Sequence, residues 1–138
     1  MTTATHLLVG GALGSLVAGH PVVALGLGIV SHVPLDMVPH FDFRDYRRDV
    51  ALGVGCAAVV IAGLAIRGHG ASGAIWGMFG GIIPDLENLA WKMGLMKETR
   101  RVFPTHRKGW LRHGAALGRS NLLTQGALGL ASLMVIWR

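Results

Sequence analysis

The densest chemistry in this chain lies in the stretch His32-Val-Pro-Leu-Asp36-Met-Val-Pro-His40-Phe-Asp42, which closes an apolar run. His32 and Asp36 are four residues apart and so share one face of a helix. Imidazole together with carboxylate is the ligand chemistry of zinc, manganese or iron. His6 lies at the start of another apolar segment, Asp85 and Glu87 near the end of a third, and His106 and His113 in the loop that follows it. Ionisable groups at a membrane edge are costly to place and call for a reason. Each also has a plainer explanation. His32 and Asp36 could satisfy each other as a buried hydrogen-bonded pair, and His6 could be an interfacial histidine. Asp42, after Pro39, could serve a turn. Asp85, after Pro84, could pair with a loop arginine, although a proline there also loosens backbone and opens space for a ligand. His106 and His113 are seven apart, and would share a face if their segment were helical.

The elements that must position these groups follow from composition. The chain has 138 residues, enough for one domain. It is 51% hydrophobic and only 14% charged, with mean hydropathy +0.50, whereas soluble domains carry roughly 25% charged residues. Its 21 glycines suit membrane helices, where small residues let backbones approach. Cys56 is the sole cysteine, which excludes a disulfide framework and a cysteine-based zinc site. It reads as a small core residue inside an apolar run.

Five apolar segments, roughly 3–19, 21–38, 50–66, 71–91 and 120–137, have about the length that crosses ~30 Å of hydrocarbon as a helix. Gly19-His20-Pro21 is the only break between the first two, which predicts a tight helical hairpin. The first five residues hold no Lys or Arg and His6 interrupts the start, which argues against a cleavable signal peptide. Gly10/Gly14 and Gly77/Gly81 have the small-xxx-small spacing of close helix packing.

With five spans, the N-terminus and the 39–49 and 92–119 loops share one side. Arg44, Arg47, Arg48, Lys92, Lys97, Arg100, Arg101, Arg107, Lys108, Arg112 and Arg119 fall there, and only Arg67 and Arg138 on the other. The positive-inside rule makes the first side cytoplasmic. The expectation is an all-α, single-domain, multi-pass protein of the cell inner membrane, with five transmembrane helices and a cytoplasmic N-terminus. A net charge of +6 would suggest nucleic acid in a soluble protein; here topology explains it, and no nucleic-acid partner is expected. The one-sided distribution also argues against a transporter or channel. His6, His32, Asp36, His40, Asp42, Asp85, Glu87, His106 and His113 all fall on the cytoplasmic side, whereas His20 and His69 sit in turns on the other.

Together, THLLVGGALG, GIVSHVPLDMVPHFD, GGIIPDLEN and HRKGWLRH resemble the small membrane-bound metal-dependent hydrolases of bacteria. The span-two stretch is also similar to the His-xxx-Asp metal motif of zinc-dependent phospholipase C. The resemblance implies a helical fold with a metal site built from His6, His32, Asp36, Asp85 and His106. The hydrolases often show His-Arg-Gly followed closely by Thr-His-Ser. Here His106-Arg107-Lys108-Gly109 is followed by Trp110-Leu111-Arg112-His113-Gly114, so the second histidine is displaced and no serine follows it.

The expected activity is hydrolysis of a phosphate ester on a lipid headgroup at the cytoplasmic interface. Its divalent ion, zinc first and manganese or iron next, would draw ligands from His6, His32, Asp36, His40, Asp85, His106 and His113. Glu87 or Asp42 would act as general base, and Arg44, Arg107 and Lys108 would steady the phosphate. Membrane lipids are the expected partners, with glycine-rich helix faces open to a homo-oligomer or a larger membrane complex. The alternative is a non-catalytic membrane protein or accessory subunit whose cluster is structural or only holds a metal or lipid.

The charge split generates a topological prediction. In intact cells, Arg138→Cys should react with an impermeant thiol reagent and Lys97→Cys should not. Equal labelling of both positions would remove the five-span reading.

Overall fold

A computed structural model describes residues 1–67, 71–114 and 120–138. His69 and Arg119 lie outside the described residues. The described chain is all helix and turn: α1 (Thr3–Ser15), α2 (Pro21–Met37), α3 (Tyr46–Arg67), α4 (Ala71–Lys92), a 3₁₀ turn (Glu98–Arg100) and α5 (Ser120–Ile136). The five expected segments are the five helices, with shifted bounds.

The shifts have local causes. α1 stops at Ser15 because the chain tightens through Leu16 N–H to Leu13 O and Val17 N–H to Gly14 O. Gly19 then takes φ +90, a conformation glycine adopts without strain, and Pro21 opens α2 at its first turn. The hairpin expected at Gly19-His20-Pro21 therefore forms. α2 ends at Met37 because Val38, preceding Pro39, is pushed to extended backbone (φ −78, ψ 151). Pro34 and Pro84 both lie inside helices that continue past them.

α1 is the central helix. Ala4 through Leu8 are buried consecutively, so every side of its first turns is covered. Its contact with α4 is backbone against backbone. A Cβ at Gly10 would meet the Gly77 carbonyl, one at Gly14 the Gly73 carbonyl, and one at Gly81 the His6 carbonyl. α2 joins the same seam, since a Cβ at Gly28 would strike Gly81 N at 2.7 Å and one at Gly80 the Leu25 carbonyl. The small-xxx-small pairs thus pack against each other within the chain, leaving Gly26, Gly55 and Gly126 with open space beside them. Leu7, Leu8, Ala12, Val60, Leu64, Ala74, Met78 and Ile136 form the apolar core.

Span length is where the structure is coarser than the expectation. Among the described residues one helix, α3, is long and apolar enough to cross a membrane: 22 residues with a mean hydropathy of 2.2, only 17% of that stretch buried. α1 has 13 residues and α2 and α5 have 17 each, about 20 and 26 Å at 1.5 Å per residue. α4 has 22 residues but carries Pro84, Asp85, Glu87 and Lys92 in its last turns.

The glycine seam predicts opposite outcomes for one chemical change. Gly77→Ala should destabilise the protein by about 1–3 kcal/mol through overpacking. Gly26→Ala and Gly55→Ala, with room for the methyl, should be neutral or stabilising by up to ~1 kcal/mol. Thermal unfolding in detergent measures all three; an unchanged melting point for Gly77→Ala would contradict the seam.

Candidate metal centre

Asp36 is the hub. Its carboxylate, near the end of α2, is 1% exposed. Three imidazole Nε2 atoms from three parts of the chain stand 3.2 Å from its oxygens: His6 of α1, His32 one turn earlier on α2, and His106 of the 93–114 segment. His113 Nδ1 is 3.6 Å away, and Thr105 Oγ1 donates a 2.8 Å hydrogen bond. The Met1 amino group lies 3.3 Å from Asp36 and 3.2 Å from Asp42. Asp85 of α4 brings Oδ1 to 3.8 Å from His32 Nε2.

The glycine seam makes this meeting possible. Seating α4 on α1 and α2 puts the Gly81 carbonyl 2.8 Å from His32 Nδ1. A carbonyl only accepts, so Nδ1 carries the proton and the neutral ring offers its Nε2 lone pair to the cluster. That lone pair then faces carboxylate oxygens of Asp36 and Asp85, acceptor against acceptor, which a cation between them resolves. Protonating every ring is a poor solution, because the buried His6 and His32 rings stack at 3.7 Å and 13° and would set two positive charges face to face. His6 Nδ1 and Nε2, His32 Nε2, Asp85 Oδ2 and His106 Nδ1 are buried without hydrogen-bond partners. Buried polar atoms are seldom left so. The donor set and its orphaned atoms fit a divalent ion.

Three groups bring their ligand atoms within 4.8 Å of one another: His6, His32 and Asp36; His32, Asp85 and His106; and Asp36, His40 and His113. Asp36 belongs to the first and third, His32 to the first and second. In the outer group His40 places Nδ1 2.7 Å from Val38 O and Nε2 3.1 Å from Asp42 Oδ2. Burial disfavours the charged form of Asp42, but the His40 hydrogen bond and the nearby amino group outweigh it and hold the carboxyl below its ordinary range. Burial lowers the pKa of His113, which favours the neutral form a metal needs.

All seven proposed ligands therefore meet. The proposed bases divide: Asp42 borders the cluster, whereas the carboxylate of Glu87 accepts the Phe103 N–H at 3.0 Å and lies 3.9 Å from Arg101 Nε. Phe103, the residue Glu87 holds, meets His32 edge-on at 5.2 Å and His106 at 5.3 Å. The loop arginine weighed as a partner for Asp85 instead pairs with Glu87. Of the phosphate candidates, Arg44 is exposed, Arg107 lies over the Trp110 ring at 4.6 Å, and Lys108 Nζ is 3.3 Å from Glu98. Arg107 and Lys108 line a cavity of about 450 Å³ together with Arg101, His106 and His113.

His106 and His113 do not share a helix face. Residues 103–109 form successive turns, with Gly109 at φ +84, and the two rings arrive from separate points. The return is pinned by Gly114 N–H donating to Asp36 O at 2.7 Å, a carbonyl left free where α2 ends. A Cβ on Gly114 would strike the Val38 carbonyl. Sequence reasoning missed Thr105, which has no spacing signal. It also missed Gln125, whose amide group binds Thr2 N, Thr5 Oγ1 and Phe41 O; a glutamine inside an apolar segment was the available signal.

No protein-family model, curated protein or solved structure matches this chain.

Thr105 supports a prediction. Thr105→Val removes the hydroxyl donor to Asp36 and should weaken zinc binding by about 10–100-fold, the usual range for a group that orients a metal ligand, while Thr105→Ser should keep near-native affinity. Competition with a chromophoric chelator measures both; equal affinities would remove Thr105 from the site.

Proposed function

We propose that this protein is a membrane-embedded metal-dependent hydrolase that cleaves a phosphate ester of a lipid headgroup at the cytoplasmic interface. The observation that carries the reading is the single buried carboxylate of Asp36 met by three imidazole nitrogens at 3.2 Å. His6, His32, Asp36, Asp85 and His106 would hold a divalent ion, with zinc the best chemical match and manganese or iron next. His40 and His113 form an outer set with Asp36, and Asp42 lies beside both rings. The ion would supply Lewis acidity toward a phosphoryl oxygen. Asp42, beside His40 and His113, is the expected base that remains at the cluster; the contacts that keep it ionised weaken it as a proton acceptor, so its role would be to orient a water. Arg101, Arg107 and Lys108 outnumber Glu98 in their shared cavity and leave it the positive charge an anionic headgroup requires.

Several observations support the membrane. α3 has span length. Val22, Ile66 and Leu123, on α2, α3 and α5, are 79–87% exposed, and apolar patches of that kind mark lipid or partner contact. α2 and α5, at 17 residues, are at the lower end of spanning length. α1 is enclosed by its neighbours and need not match the bilayer by itself. The one-sided basic charge then supports a multi-pass inner-membrane protein with a cytoplasmic N-terminus. The likeness of its motifs to the small bacterial membrane hydrolases points the same way. The open glycines on α2, α3 and α5 offer faces for a second copy or a larger complex.

Purified protein in liposomes should release phosphate or headgroup from a phospholipid panel, lose that activity with chelator and regain it with zinc or manganese. His32→Ala and Asp36→Ala should abolish both turnover and bound metal, and His20→Ala should spare both. Stoichiometric metal without turnover on any lipid would support the metal-holding accessory protein instead.

A further inference from the structure

An apolar seam between α3 and α4 runs into the polar cluster. Its upper part, about 180 Å³, is walled by Val50, Gly53 and Ala57 of α3 and by Ile82 and Leu86 of α4. A smaller space continues it along the same two helices, bounded by Ile61, Ile75 and Met78 and sharing Leu7, Ala57 and Ile82 with the first. At the other end the seam shares Asp49, Asp85, Asn88 and Lys92 with a polar pocket of about 70 Å³ that reaches Asp36, His106 and His113. Greasy walls thus lead to the carboxylate that faces His32, with a lysine ammonium at the junction.

We infer that this seam holds one acyl chain of the substrate, whose phosphate headgroup lies past the junction, where Asn88, His106 and His113 line both the small polar pocket and the cavity of Arg101, Arg107 and Lys108. The inference rests on the hydrolase reading and adds the way its substrate is held. Three features select the occupant. The seam follows α4 from Asp85 to Ile75, ten residues or about 15 Å, which is half of the ~30 Å hydrocarbon core and so the depth of one leaflet. Its α3 wall is low, at Gly53 and Ala57, and Leu7 closes the floor. Its rim is apolar and open, with Val54, Phe79 and Leu86 exposed, so a chain can enter sideways from lipid. At the junction Asp49 and Asp85 stand against Lys92, so the phosphate charge is met by the basic cavity beyond it.

The test uses full-length protein in liposomes of phosphatidylethanolamine and phosphatidylglycerol doped with phosphatidic acid carrying a diazirine at the acyl terminus. After photolysis, peptide mapping should find label concentrated around Ile61, Ile75 and Met78, about tenfold above the exposed α2 and α5 positions Val22 and Leu123, and displaced by unlabelled phosphatidic acid. Ala57→Trp should lower seam labelling by about tenfold or more, the loss expected from excluding two or more methylenes. Its bound zinc should stay at the native level, which also reports correct folding; Ile82→Trp serves if Ala57→Trp fails to fold. Label spread evenly over all exposed apolar residues, or seam labelling unchanged in the filled variants, overturns the proposal. The two readings fail separately: seam labelling without hydrolysis leaves the acyl site standing and removes the enzyme, and hydrolysis without seam labelling does the reverse.

Discussion

A carboxylate sealed from solvent has to be met by donors or cations, and much of this molecule is arranged around that requirement at Asp36. An isolated buried charge is untenable, and in practice it is paired, hydrogen-bonded or coordinated to a metal. Asp36 is 1% exposed and draws His6 from α1, His32 from its own helix, and Thr105, His106 and His113 from the segment after α4. Four separate stretches of chain, counting the Asp85 approach from α4, are committed to one patch a few ångströms across. Several imidazoles with unsatisfied ring nitrogens make a set that could hold a metal ion.

That convergence depends on helices approaching more closely than side chains normally allow. Gly10 and Gly14 of α1, Gly28 of α2 and Gly73, Gly77 and Gly81 of α4 remove the intervening Cβ atoms. The Gly81 carbonyl can then reach the His32 ring. The same carbonyl that helps close the seam also sets the His32 tautomer, so packing and chemistry are coupled at one peptide group. Dispersion and hydrogen bonding drive such contacts when the surroundings are as apolar as the side chains themselves.

The 93–114 segment completes the site without regular structure, and it is anchored at several points. Arg101 binds Asn88 and approaches Glu87, Glu87 takes the Phe103 amide, and Gly114 N–H caps the freed Asp36 carbonyl. These bonds tie the loop to the ends of α4 and α2. They explain why Glu87, an acid that looked catalytic in the sequence, is spent on the loop, while the more exposed Asp42 remains beside the histidine cluster. The apolar seam between α3 and α4 opens onto the polar centre, the geometry an amphiphilic substrate would require.

The sequence by itself determined the helical class, the five apolar segments and the hairpin at Gly19-His20-Pro21, because hydropathy, glycine and proline act locally. It also exposed the His32/Asp36 pair, since a spacing of four is one helix face, and nominated the other ligands by residue type. Tertiary structure alone decided that Asp36 is the hub, that Glu87 belongs to the loop anchor and that Thr105 touches the site. It also decided that α1, short of span length, is wrapped by the other helices. Spacing along the chain cannot report these facts, because each depends on which helix backbones come within reach of one another, and that is settled by the absence of side chains at glycines far apart in sequence.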